Sequence, residues 1–231
     1  MLDTIDAPSA AGVSPKSQTS HAYETIRADI IAGVHAPGKK LKIQELAIEL
    51  IVAPGAVREA LSRLVPEQLV ISRDQRGFIV APLSISDLLD LTELRCELEA
   101  IALRKSLERG DLDWEVRLIS ASHRLRSLPY PLLGAGNSVR DWLAYHAEYH
   151  SALISACGSP RLLALHAQLY EQSERYRIMS AQVDTGRDVA AEHDRIEKLA
   201  LARDADGLVR EMTGHIRKTT ELIVASAQAA Q

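Results

Sequence analysis

"LVISRDQRGFIVAP", residues 69–82, decides how the N-terminal third of the chain is read. Two short runs rich in β-branched and aromatic residues, Leu69 to Ser72 and Phe78 to Ala81, flank a polar Asp-Gln-Arg-Gly turn. That pattern predicts a β-hairpin. Upstream, Tyr23, Ile26, Ile30 and Ile31 follow helical spacing up to Gly33, which stands where a C-terminal cap is expected. Pro37 and Gly38 make a turn, Ile43 to Leu50 reads as a short helix, and a third helix runs from about Gly55 to Leu64 before Pro66.

Three short helices followed by a hairpin is the element order of a winged helix-turn-helix. Downstream of the hairpin everything reads as helix. Ser86 can cap a long helix reaching Gly110, a second runs from about Asp113 to Leu128, and a third from Asn137 or Ser138 to Cys157. Ser159 followed by Pro160 is an N-cap and first-turn pair for a fourth, ending near Met179, and two more span about Val189 to Arg203 and Ala205 to Ala227. The expected fold is mostly α, a winged helix-turn-helix followed by an antiparallel six-helix bundle. The divisions expected are a disordered tail over 1–20, rich in Ser, Ala, Pro and Thr, a DNA-binding domain over 21–83, and an all-helical domain over 84–231.

Composition fits. Aromatic residues are scarce at 4 %, and 46 % hydrophobic residues suffice for a buried core. The net charge of -4 argues against a nucleic-acid binder until it is divided along the chain. Residues 21–83 carry eight Lys/Arg against seven Asp/Glu, while residues 84–231 carry 18 against 22. Any anionic partner therefore belongs to the N-terminal part. Cys96 and Cys157 are too few for a disulfide framework, and neither a signal segment nor a long apolar run is visible, so a cytoplasmic protein with no membrane partner is expected.

"HAEYH", residues 146–150, puts two imidazoles four residues apart on one helix face, close enough to share an ion. Among eight histidines that spacing is not rare. A zinc-protease motif needs glutamate directly after the first histidine, where Ala147 stands, and Glu148 points away from the paired face. Catalysis of that kind is not expected.

The stretches "VREALSRL" and "QRGFIVAPLS" in the first domain, with "LTELRCELEAIAL", "HAEYHSALISACGSPRLL" and "EHDRIEKLALARDADGLVREMTGHI" in the second, resemble the GntR family of bacterial transcription regulators. The likeness is to its FadR-like branch with an FCD effector domain, and it covers roughly residues 20 to 227. "DQRGFIVAP" and "RGDLDWEVRLISASHRL" are similar to the subgroup that includes carbon-starvation-induced regulators of dicarboxylate catabolism. The resemblance implies a repressor that binds an inverted-repeat DNA operator as a homodimer and responds to a small carboxylic acid, a dicarboxylate in particular.

It also implies residues. Where the family reads VSRTP ahead of VREAL, this chain reads VAPGA, residues 52–56, which removes the usual polar set. Arg58 remains as the candidate for base or phosphate contact, with Gln44 on the preceding helix, Lys42 and Arg63 for phosphates, and Arg76 and Gly77 at the hairpin tip for the minor groove. His193 and His215 match family metal-ligand positions and complete a set with His146 and His150, although the family usually has aspartate where His146 stands. Four imidazoles favour a divalent transition metal, Zn or else Ni, and leave its full charge for an effector carboxylate to offset. Arg95 matches the arginine that faces the effector, Glu99 one turn later can orient it, and Ser159 replaces a common asparagine. Three alternatives stay open: a metal-free pocket where histidines and Arg95 take the acid directly, a metal sensor whose ion is the signal, and a metalloenzyme.

Overall fold

The computed structural model describes residues 15–73, 77–128, 137–180 and 187–229, and its contacts divide into two units, one running to Ala81 without Ile31–Gly33 and the other taking Ile31–Gly33 with Pro82 onward. The first holds α1 (Pro15–Ile31), β1 (Lys40–Leu41), α2 (Ile43–Glu49), α3 (Pro54–Leu64), β2 (Val70–Arg73) and β3 (Gly77–Val80). Its core follows the expected periodicity. Ala22, Ile26 and Ile30 of α1 recur every four residues and are buried with Val57, Leu61 and Leu64 of α3 and Phe78 and Val80 of β3.

Two features of this unit differ from the sequence reading, and a third lies outside it. First, α1 begins at Pro15, inside the segment expected to be a disordered tail. Polar residues hide the helix there, because its partners are polar too: Thr19 is buried and its hydroxyl meets Glu59 at 3.3 Å, while the Gln18 amide oxygen accepts the Ala53 N–H at 3.2 Å. Secondly, the sheet has three strands in the order β1-β3-β2, with Leu41 opposite Phe78. A two-residue strand carries no alternation to read. Thirdly, Ile51, in the turn between α2 and α3, adopts φ 55° and is 89 % exposed.

The second unit is built of α4 (Ile85–Arg109), α5 (Leu112–Arg126), α6 (Asn137–Ile154), α7 (Pro160–Ser180), α8 (Val189–Leu201) and α9 (Ala205–Ala229). Side chains cap these helices and fix their starts: Asp111 accepts from Trp114 N, Asp188 from Ala191 N, and Ser159 from Leu162 N. For α4 the cap is Ser84, whose oxygen accepts the Asp87 N–H at 3.1 Å, and not Ser86 as the sequence suggested. Tyr176 of α7 decides the matter. Its hydroxyl lies 2.5 Å from Asp87 Oδ2 and accepts the Ser84 N–H, pinning the backbone two residues earlier.

Trp114, Leu118, Tyr149, Leu153, Ile196 and Leu208 are fully buried in the bundle core. The Trp114 indole donates to Ala152 O at 2.9 Å, which locks α5 to α6 without stranding a polar group. α4 packs against α9, α7 and α6, and this arrangement makes room for a site among those helices.

A β-branched side chain in the left-handed region costs about 1 to 2 kcal/mol, and Ile51 buries almost nothing in return. Ile51→Gly is therefore expected to raise the free energy of unfolding by about 1 kcal/mol, read from urea denaturation. A lower stability would show that this side chain supports the folded state.

Candidate functional site

Four imidazoles from three helices meet inside the bundle. His146 and His150 come from α6, His193 from α8 and His215 from α9, and one nitrogen of each lies within 4.8 Å of all the others. All four are buried. His146 Nε2 and His150 Nε2 are 3.1 Å apart, and the ring centroids of His193 and His215 are separated by 4.9 Å.

Burial pushes the pKa of each of these histidines down; for His146 and His150 the neighbouring imidazoles and arginines push the same way, while for His215 and His193 the Glu192 carboxylate pulls up without overcoming burial. The neutral form, with its lone pair available, is thus the favoured one. His193 Nε2 and His150 Nδ1 have no hydrogen-bond partner although both are buried. Burying an unpartnered polar atom is costly, so such atoms mark a place where a further group fits. Four nitrogens held about 2.1 Å from one ion in a tetrahedral set are about 3.4 Å apart, so rings whose nitrogens lie within 4.8 Å of one another must draw in by up to about 1.4 Å to surround one.

Carboxylates support the cluster from behind. Glu192 accepts from His215 Nδ1 at 2.7 Å and is forked by Arg187, whose Nη2 also donates to His215 O. Burial alone would raise the Glu192 pKa, but its hydrogen bonds from His215 and Arg187 outweigh that and hold it down. A fixed proton on Nδ1 leaves His215 Nε2 free to bind a metal.

A cavity opens beside the histidines, lined by Thr92 and Arg95 of α4, His146 and His150 of α6, Ser173, Glu174 and Arg177 of α7, and His215, Thr219 and Thr220 of α9. Arg95 is buried, lies 4.8 Å above the Tyr170 ring, and leaves Nε without a partner. Arg177 is forked by Glu174 and sits over Trp142. Buried guanidinium beside neutral imidazoles is a setting for an anion.

Two expected roles change. Glu99 does not orient Arg95: it is fully buried and its Oε2 lies 2.5 Å from His166 Nε2. Burial raises its pKa, but His166 and then Arg95 overcome that and keep it low. Ser159 spends its hydroxyl capping α7 and does not line the cavity. The sequence reading does not single out His166, Tyr170, Glu174 or Arg177. These four recur at spacings of four, four and three along α7, a polar stripe that signals an interior polar site.

In the first unit, Arg58 is exposed on α3 and forms no ion pair among the described residues. The carboxylates that could have quenched it are engaged elsewhere, Glu59 with Arg63 at 2.5 Å and Glu45 with Lys42 at 2.6 Å. Both pairs are exposed, so they are weak and can be exchanged for phosphates. Gln44 is exposed on α2, Gly77 opens β3 at φ 83°, a conformation that favours glycine, and Arg76 lies outside the described residues.

Comparison with known proteins bears on both units. Residues 90–218 match the FCD domain, and residues 18–80 match the bacterial regulatory proteins of the gntR family. The chain belongs to the GntR family, with an FCD effector domain. It is 37 % identical over 224 residues to the HTH-type transcriptional regulator BphR of Paraburkholderia xenovorans, covering 94 % of this chain and 90 % of that one. It is 31 % identical to the HTH-type transcriptional repressor GlaR of Escherichia coli K12, covering 84 % and 90 %. Among solved structures, E. coli McbR/YncC superposes with a TM-score of 0.76 at 17 % identity, covering 91 % of this chain and 99 % of the other. A GntR regulator from Rhodococcus sp. RHA1 gives 0.73 at 21 %, covering 90 % and 98 %. These likenesses show the fold.

This GntR-family protein is thus a DNA-binding transcription regulator and not an enzyme. No described helix is long and apolar enough to cross a membrane. Removing one member of a buried pair typically costs about 3 to 5 kcal/mol, so Glu99→Ala is expected to destabilise the helical unit by about that amount in chemical denaturation. A loss under 1 kcal/mol would show that His166 finds another partner.

Proposed function

We propose that this regulator is a repressor whose operator binding is relieved by a small carboxylic acid, a dicarboxylate in particular, taken up beside a transition metal in the helical unit. The observation that carries the reading is that Arg95 and three of the four clustered histidines, His146, His150 and His215, line one cavity. One carboxylate can meet both a guanidinium and an ion held by His146, His150, His193 and His215. Neutral imidazoles suit Zn or Ni, and leave the ion's double charge for an acid to offset. Arg177, already paired with Glu174, brings a second guanidinium to the lining of the same cavity.

The response has a physical route. Thr92 and Arg95 sit on α4, whose capped start is the first helix after the DNA-binding unit in the chain. Glu174 and Arg177 flank Tyr176, the residue that grips that start. An acid that draws α4 and α7 together or apart therefore acts on the segment leading to the DNA-binding unit.

Arg58 is the proposed base or phosphate contact, supported by Gln44, Lys42, Arg63, Arg76 and Gly77. So few contacts call for two copies on an inverted repeat. Leu94 and Ile101 on α4, and Leu112, Val116 and Ile119 on α5, are exposed apolar side chains that a homodimer interface would bury.

A second reading, in which the ion itself is the signal, draws on the fact that four histidines complete a ligand set without any acid. Gel shifts on a selected operator separate the two. Release by C4 to C6 dicarboxylates at constant metal supports the first; release by metal without acid supports the second. Arg95→Ala is expected to weaken the acid response by at least about tenfold, the worth of a charge-assisted hydrogen bond. Arg58→Ala is expected to lower operator affinity by about 1 to 3 kcal/mol at fixed salt. Unchanged affinity would remove Arg58 from the interface, and light scattering at one chain's 25.3 kDa in micromolar solution would remove the homodimer.

A further inference from the structure

We infer that Tyr170 is the outer hydrogen-bond partner of His146, accepting its Nδ1 proton when that histidine holds a metal ion through Nε2; the inference rests on the metal-binding reading above. A neutral imidazole carries one proton. For His146 to offer a lone pair from Nε2, the nitrogen 3.1 Å from His150 Nε2, its proton must sit on Nδ1 and find an acceptor there. The Tyr170 hydroxyl lies 2.6 Å from Nδ1, while the nearer oxygen of Glu174 is 4.0 Å away and beyond hydrogen-bond reach.

Without the Tyr170 oxygen a proton on Nδ1 has no acceptor in reach, which favours the tautomer that carries it on Nε2, 3.1 Å from His150 Nε2, over the one that offers Nε2 to an ion. His215 faces no such choice, because the Glu192 carboxylate fixes its Nδ1 proton. Among these contacts, His146 is the histidine whose tautomer hangs on a neutral hydroxyl.

The hydroxyl is itself held in place. Tyr170 is buried, its ring lies beneath the Arg95 guanidinium, and it stacks on His166, which Glu99 anchors. A line of contacts runs from Glu99 through His166 and Tyr170 to His146. Tyr170 is thus a positioning residue that acts through His146, and it gives the buried Glu99–His166 pair a purpose that neither an effector contact nor packing supplies.

The test is competition of the full chain against a chromophoric chelator for Zn²⁺. Tyr170→Phe keeps the ring and removes only the oxygen, and is expected to weaken zinc binding by about 10- to 100-fold, as loss of an outer hydrogen-bond partner does. In a His146→Asp background the ligand is a carboxylate with no tautomer to set, so the same change is expected to alter affinity by no more than about twofold. Equal zinc affinity of Tyr170→Phe and the parent chain overturns the inference and leaves the metal site standing. Equal losses in both backgrounds show a packing role and also overturn it. A parent chain that binds no zinc overturns the metal site and the inference together. Should the phenylalanine variant not fold, Tyr170→Gln against Tyr170→Leu makes the same comparison, an acceptor against none.

Discussion

Placing four imidazoles in one buried space is favourable only while they carry no charge, and the helical unit is organised around that constraint. Burial disfavours the charged form of each imidazole and so favours a free lone pair on it. The charges that do enter are paired or stacked: Glu192 with Arg187, Glu174 with Arg177, Glu99 with His166, and Arg95 over Tyr170. Each pair removes a cost that the interior would otherwise impose. Of the five buried side-chain atoms left unpartnered among the described residues, three, His193 Nε2, His150 Nδ1 and Arg95 Nε, belong to the cluster or the wall of its cavity.

The order of the helices follows from the same requirement. α6 supplies two ligand candidates at a helical spacing of four, whereas α8 and α9 supply one each and must be brought to it by the fold. The apolar core, with Trp114 tied to Ala152 and Tyr149 tied to His193 O, does this. Tyr149 next to His150 shows how tightly the two tasks are interleaved: one residue of α6 fixes the backbone of α8, and the next faces the cluster.

Much of this is legible in the sequence, and the parts that are not have physical reasons. The hairpin, the short helices and the bundle were readable because apolar periodicity and turn residues are local signals. HAEYH was readable as a pair because helical spacing is local too. The joining of His193 and His215 to it needed a family likeness, since nothing between residues 150 and 193 encodes a distance. Glu99 was assigned to Arg95 because both lie on α4 one turn apart, yet the partner it takes is 67 residues away on α7. Ser86 was preferred to Ser84 because the choice is made by Tyr176, another long-range partner. The start of α1 was lost because its early turns bury hydroxyl and amide groups instead of hydrocarbon.

An ion held by the cluster would join α6 to α8 and α9, tying together helices whose ligands lie far apart in the chain. Binding energy of that kind is folding energy, because the unfolded chain has no such cage to offer. The metal-free chain would then open more often and be cut sooner by proteases that sample open forms. Cellular metal supply would thereby govern how long the regulator survives as well as what it senses, and a shortage of the ion would empty the operator by turnover even with no acid present.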